Sequence, residues 1–290
     1  MRTVVTGVAG FIGSHIAESL IRQGYDVIGI DDLSAGYFNN IPKGVFFIQD
    51  DICNIKRYSS LLQDVDVVFH NAASKKNICM KDPARDMMVN GIGTLLLLQE
   101  CVIMKVPKFI YASTGSVYGE VSGTITEETP RNPCSYYGVS KMAGETYVRL
   151  FGTQLNITVL RYFHVYGDRQ ESAQDTGGVV AIFKDKIQKG EKVFIHGDGS
   201  QRRVFTYVED IVSANIESWR NSIASGKVYN CASNVSLSII ELLDILMKKY
   251  NRTTEICYAD PLIGDIYNFN VNSSKIQEIG VEFRPITEVL

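Results

Sequence analysis

The stretch Thr3-Val4-Val5-Thr6-Gly7-Val8-Ala9-Gly10-Phe11-Ile12-Gly13-Ser14-His15 decides how the rest of the chain is read. Its first four residues are all β-branched, the composition of a short strand. From Phe11 to Gln23 the apolar residues recur with a helical period. Three glycines lie between. Gly7 permits a tight turn, Gly10 lets the backbone approach a pyrophosphate, and Gly13 allows helix and strand to pack closely. The helix N-terminus that follows offers unpaired N–H groups and positive dipole to phosphate. A glycine triplet alone marks many ordinary turns. Here it sits between a strand and a helix, and Asp31 follows Gly13 by eighteen residues, near the ~20 expected of a carboxylate that accepts ribose hydroxyls. That carboxylate repels a 2′-phosphate and no Arg or Lys follows it closely, so the spacing predicts NAD rather than NADP.

Outward from this turn the N-terminal half alternates strand and helix patterns. Strands are expected at Thr3–Thr6, Asp26–Ile30, Val45–Ile48, Val65–Phe69, Lys108–Ala112 and Ile157–Leu160. Most are continuous apolar runs, as suits a parallel sheet covered on both faces. Helices are expected over Phe11–Gln23, Lys56–Leu62, Pro83–Met104 and Tyr137–Phe151. The order predicts an α/β doubly wound (Rossmann) parallel sheet. Beyond Phe163 the rhythm breaks: helices are expected at Val179–Lys189, Val208–Trp219 and Ser236–Tyr250, the last with Ser236 as N-cap, and a seventh sheet strand at Val228–Cys231. This reads as a dinucleotide-binding domain over residues 1–163, joined again by 204–232, with a smaller interleaved substrate lobe from 164–203 and 233–290. Each sheet strand ends in residues unusual for plain loops: Asp31-Asp32, Asp50-Asp51, His70 through Lys75, Ser113 through Ser116, and Arg161 through His164. Open α/β sheets bind ligands outside the carboxyl ends of their strands.

Composition narrows the function classes. The chain has 290 residues, 29 basic against 32 acidic side chains and a hydrophobic fraction of 45%, an ordinary globular balance. A weakly acidic chain without basic blocks argues against nucleic acid or an anionic membrane as partner. No uninterrupted apolar run reaches the ~20 residues of a membrane span, and strand residues begin beside Met1, leaving no room for a signal peptide. The six cysteines are scattered without Cys-x-x-Cys spacing, which points to reduced thiols of a cytoplasmic protein and to no metal site.

A second signal is Tyr137-Gly138-Val139-Ser140-Lys141. Residues four apart share a helix face, so Lys141 can sit beside Tyr137. A free phenol has a pKa near ~10 and must drop by roughly three units to act near neutrality; a neighbouring ammonium and an oxidised nicotinamide push in that direction. Tyr-x-x-x-Lys is common on surface helices, and its weight here comes from the upstream glycine turn and the hydroxyls of Ser113, Thr114 and Ser116.

Taken together, TGVAGFIGSH at 6–15, DDLSAG at 31–36, HNAASK at 70–75, Asn90-x-x-Gly93-Thr94, YASTGSVYG at 111–119, YYGVSK at 136–141, LRYFHVYG at 160–167 and Gln201 through Asp210 make the chain resemble the extended short-chain dehydrogenase/reductase family, and within it the UDP-glucose (UDP-galactose) 4-epimerases. The resemblance implies that Tyr137 is the acid/base, Lys141 its electrostatic partner and Thr114 the hydroxyl that bonds the substrate oxygen. It implies a cofactor site of Gly7, Gly10, Phe11, Ile12, Gly13, Asp31, Asp32, Asp51, Ile52, Ala72, Ala73, Lys75, Asn90, Ser113, Tyr137, Lys141 and Tyr162. The substrate side would take Lys75, Thr114, Ser116, Tyr137, His164, Arg203, Asp265 and Phe269. It further implies tightly held NAD, a UDP-sugar passing through a 4-keto intermediate, and a homodimer through the helices near 83–104 and 137–151.

Dehydratases of this family carry an Asp-Glu pair after the catalytic Thr, where this chain has Gly115 and Ser116. His164 replaces a usual Asn, and Leu262 a second diphosphate arginine that Arg202 could stand in for. Phe269 falls where a bulky ring favours unacetylated hexoses. Glu127-Glu128 belongs to a loop expected to be solvated. Alternatives are an epimerase of another UDP-sugar (a uronic acid or N-acetylhexosamine), a nucleotide-sugar 4-ketoreductase, and a non-catalytic dinucleotide sensor; the last typically loses the Tyr or Lys kept here.

Overall fold

The structure, a computed structural model, describes residues 1–74, 76–173, 177–261 and 267–290, without the side chains of 76–78. Seven parallel strands form the central sheet: β1 Arg2–Thr6, β2 Asp26–Asp31, β3 Phe46–Gln49, β4 Val67–His70, β5 Lys108–Thr114, β6 Asn156–Tyr162 and β7 Lys227–Cys231. Their order is β7-β6-β5-β4-β1-β2-β3, so the winding reverses between β1 and β4, where a crevice opens at the strand ends. The strand interiors are apolar and buried: Val4, Val5, Val68, Phe69, Phe109 and Val159 are fully shielded.

Helices cover both faces. On one, α1 (Phe11–Arg22) packs with Val208–Arg220 over Val5, Phe69 and Tyr229. On the other lie α2 (Lys76–Lys81), the continuous run α3 (Pro83–Ile103) and α4 (Tyr136–Phe151). By length and composition α3 could cross a membrane; instead Leu97, Leu98 and Cys101 are buried against Phe109 and Val148 in the core. Its turn Met88–Gly93 is π-helical, a geometry that often marks functional positions, and it carries Asn90.

Residues after the sixth strand build a second core. α5 (Val179–Lys189) and α7 (Ile239–Tyr250), with α6 (Val208–Arg220) between them in sequence, flank two short ribbons. Val193–His196 pairs in parallel with Ile256–Ala259, and Arg202–Val204 pairs antiparallel with Ser236–Ser238. Two expected elements differ. Lys56–Leu62 is not an α-helix but part of two 3-10 turns, Ile52–Arg57 and Ser59–Leu62. The last long helix begins at Ile239, because Ser236 is drawn into the ribbon with Val204 and Ser238 caps instead, in a capping box with Glu241. A hydroxyl three residues before a Glu supplies that box only in the Ser238 register.

Candidate active site

A cavity of about 1130 Å³ opens at the reversal point, between the strand ends and the second core. Gly7, Gly10 and Phe11 line it, with Asp31, Asp32, Asp51, Ile52, Ala72, Ala73 and Ser74 on the sheet side and His164 and Arg203 across from them. Gly7 holds φ +72°, and a Cβ on Gly13 would stand 2.1 Å from the Gly7 carbonyl oxygen, so the helix start and the turn touch through backbone alone. α1 begins at Gly10 with no side-chain cap and no acidic residue in its first turn, which leaves its N–H groups for an anion. Asp31 receives the Ala9 and Leu33 amides at 3.0 and 2.9 Å. Burial raises its pKa above the ordinary carboxylate value while those amides pull it down.

At the far end Asp51 caps the turn after β3 by accepting from the Cys53 amide, and Arg85 donates to its other oxygen at 2.5 Å. Arg85 also lies 3.5 Å from Asp32. Against the burial that would raise it, the Cys53 amide and the guanidinium hold Asp51 below the usual range.

Of the residues of the second signal, Tyr137 and Thr114 are half-buried and Lys141 is buried. The Tyr137 phenol is within hydrogen-bonding reach of Thr114, with Asp86 and Cys79 nearby; burial first, then those two groups, raises its pKa well above that of free tyrosine. Lys141 is 2% exposed, and its Nζ lies 4.3 Å from the centre of the Tyr111 ring. Burial lowers its pKa to about 7, although Asp86 and Glu145 oppose the drop. Burial thus opposes the depression expected from the ammonium and an oxidised nicotinamide together, and the nicotinamide's share comes only with bound cofactor.

Several expected ligands are committed to neighbours in the fold. Asn90 accepts from the Ser74 amide and donates to Asp86 and Ser140. Ser113 donates to Glu145 at 2.7 Å, and the Tyr162 hydroxyl accepts from Asn215. Ile12 packs against the core beneath the turn, and Ser116 accepts from the Thr114 hydroxyl at 3.3 Å and donates its amide back to it at 3.2 Å. His164, at φ +34°, packs its ring 4.9 Å from Phe269, which is itself buried and outside the main cavity wall. Arg203 donates to the Arg202 and Tyr267 carbonyls and lies over Phe269. Glu127 is not simply solvated: its carboxylate accepts from the Asn230 amide. Lys75, Leu262 and Asp265 lie outside the described residues.

A model of the NAD dependent epimerase/dehydratase family matches residues 3–232. The chain belongs to that family. It is 36% identical over 285 residues to a putative UDP-glucose 4-epimerase of Methanocaldococcus jannaschii, covering 96% of this chain and 92% of that protein. It is also similar to the solved UDP-glucose 4-epimerase of Thermotoga maritima with UDP-glucose, at 36% identity and TM-score 0.93 over 98% of this chain and 94% of that one. The UDP-glucuronic acid 4-epimerase of Bacillus cereus, solved with UDP-glucuronic acid and NAD, matches at 31% identity and TM-score 0.89 over 98% and 94%. This protein is thus an NAD-dependent enzyme of the nucleotide-sugar epimerase family. Its residues fit that cofactor: the glycine turn leaves no room for a side chain where the backbone must approach, and the Asp31 carboxylate stands at the mouth of the adjoining strand.

Sequence reasoning missed several cavity residues of this family member. Arg85, Arg169, Lys186, Lys192, Phe194 and His196 all line it. Arg85 and Arg169 reach it through contacts of long range in sequence, to Asp51 and to Glu18, and no local spacing signals that. For Phe194 and His196 a signal existed: alternate residues of the strand Val193–His196 share a face.

Proposed function

We propose that the protein is a nucleotide-sugar 4-epimerase that interconverts UDP-glucose and UDP-galactose. The observation that carries this reading is the cluster of Thr114, Tyr137 and Lys141 at the strand ends bordering the glycine turn, combined with the shape of the next residue. A Cβ on Gly115 would fall 2.3 Å from the buried Phe163 ring. The Phe163 ring thus occupies the space beside Gly115, and with Gly115 and Ser116 in place of a dehydratase's acidic pair, oxidation at carbon 4 is followed by return rather than elimination.

NAD, when bound, supplies the hydride acceptor and donor at carbon 4 and, oxidised, a positive charge. Tyr137 accepts the proton of the sugar's 4-hydroxyl and later returns it to the 4-keto oxygen. Thr114 bonds the same oxygen and steadies the phenolate, and the Lys141 ammonium favours the anionic phenol. Burial excludes water, which strengthens each of these interactions. Arg203 holds the nucleotide diphosphate, and that tether leaves the sugar free to turn and present its other face. We read Phe269 as favouring an unacetylated hexose only through His164, whose ring lines the cavity and packs 4.9 Å from it.

Similarity to the Bacillus cereus enzyme supports a second reading, an epimerase of a UDP-uronic acid on the same machinery. Purified protein given UDP-galactose without added cofactor is expected to form UDP-glucose, followed by chromatography; conversion of UDP-glucuronic acid alone selects the second reading. Stoichiometric consumption of added NAD(P)H with no epimerisation points instead to a ketoreductase. Tyr137→Phe is expected to abolish turnover and spare bound NAD. We also read α3 and α4 as a homodimer face, since Met88, Ile103, Val139 and Leu150 lie exposed along them; sedimentation of the protein as a monomer would rule this out.

A further inference from the structure

Behind the site, one polar row crosses three strands. Ser113, Arg161 and Asn230 are register partners on β5, β6 and β7, and each is at least nine-tenths buried. Two of them converge on Glu145 of α4. Ser113 donates to its Oε2 at 2.7 Å; Arg161 grips both oxygens, Nε to Oε2 at 3.1 Å and Nη2 to Oε1 at 2.6 Å. Arg131 adds a contact to Oε1 at 3.1 Å. Arg161 continues to the Tyr118 hydroxyl, which donates to Asn230. Glu145 itself has no exposed surface.

Buried ion pairs add little net stability over apolar packing of equal volume. What this row supplies that apolar side chains cannot is direction: a bidentate guanidinium fixes the carboxylate, and the carboxylate fixes one hydroxyl. Tyr137, Lys141 and Glu145 recur at four-residue spacing, so they lie on one face of α4. Ser113 immediately precedes Thr114. Pinning Glu145 to Ser113 therefore pins the rotation of α4 about its axis against the end of β5.

We propose that Glu145 is a positioning residue: through Ser113 and Arg161 it sets the separation between the Tyr137 phenol and the Thr114 hydroxyl. This rests on the acid/base reading of Tyr137 given above.

Three variants test it: Ser113→Ala, Glu145→Gln, and the double variant Glu145→Gln/Arg161→Met, each measured for kcat, KM, NAD content and melting temperature. Ser113→Ala is expected to fold, keep its NAD and its KM within about twofold, and lose about tenfold in kcat, since small misplacements of reacting groups are costly. Glu145→Gln strands the Arg161 charge and is expected to melt lower. The double variant removes that stranded charge; it is expected to regain melting temperature while kcat stays down by about tenfold or more. Wild-type kcat in Ser113→Ala, or in a stable double variant, would overturn the proposal and leave the row a purely structural one. Should the double variant not fold, Ser113→Ala alone decides. Turnover that survives Tyr137→Phe would instead sink the acid/base reading, a distinct result.

Discussion

The two ends of the cavity are made of different material. On the sheet side, recognition is built from backbone and short side chains: Gly7, Gly10, Ala72 and Ala73, with Asp31 held by two amides. On the other side long side chains do it: Lys186, Lys192, Phe194, His196 and Arg203. Backbone placed by a parallel sheet has few ways to move, so that end suits one invariant ligand, the cofactor. Side chains with several rotatable bonds can be exchanged without disturbing the fold, so that end is the one we read as facing the variable sugar. The contrast predicts effects that are larger and less selective at the sheet end.

Gly13→Ala should be the most damaging. Its new Cβ would press on the Gly7 carbonyl at 2.1 Å, backbone against backbone with no side chain to yield. Overpacking of this kind costs about 3 kcal/mol at its upper range, and the displaced turn no longer fits a pyrophosphate. Purification without bound NAD, together with a lowered melting temperature, is the expected outcome; an NAD-replete variant with wild-type melting would show that this end is more pliant than its geometry implies.

His70 gives the next largest effect, and through pH. It is fully buried under the turn, accepting from Thr6 at Nδ1 and donating to Thr94 at Nε2, because Thr6 already accepts from the Ala72 amide and Thr94 donates onward to the Asn90 carbonyl. That leaves the ring one proton. Burial, and then Lys141, push its pKa down to about 3 from 6.5. The unfolded chain therefore binds a proton that the folded one refuses. This contribution to stability is complete above pH 6.5 and falls by about 1.4 kcal/mol per pH unit below it. Denaturant titrations at pH 7, 6 and 5 should show that slope in the wild type and a shallower one in His70→Gln; parallel slopes would mean the ring is not held neutral.

Arg203→Ala probes the opposite end. The guanidinium is 6% exposed and anchored on two carbonyls over Phe269. Losing a charge-assisted contact to a diphosphate is worth about 1.5–3 kcal/mol, so KM for the nucleotide sugar should rise at least about tenfold while NAD content holds; the melting temperature should fall, because two carbonyls lose their donor. If NAD is lost as well, the two ends are not separable.

The same division explains what could be read from residues alone. β1, the glycine turn and Asp31 lie within one continuous stretch, and hydrophobic period plus spacing specify them together. The Tyr137 and Lys141 pairing follows from helix geometry. Local pattern alone puts Ser236 at the N-cap of the last long helix; only pairing with Val204, distant in sequence, draws it into a ribbon. Glu145, Arg161 and Arg85 carry no local signature, since their partners lie in other elements. The desolvation that raises the Tyr137 pKa in the cofactor-free chain likewise comes from packing, which spacing does not record.

Arg85→Gln is expected to have the smallest effect, and it tests whether the sheet end relies on side chains at all. Arg85 is 37% exposed, paired with Asp51 at 22% and Asp32 at 30%. Pairs so open to solvent contribute little to stability, and melting should not change. Yet Asp31, Asp32, Asp50 and Asp51 all line this part of the cavity, and without Arg85 their mutual repulsion is less compensated. NAD should leave a few-fold faster at low ionic strength, with the difference disappearing toward 1 M salt as screening shortens to ~3 Å. A salt-independent loss of NAD of the size seen on altering Gly13 would instead make this guanidinium part of the rigid scaffold, and the division between the two ends would have to be redrawn through α3.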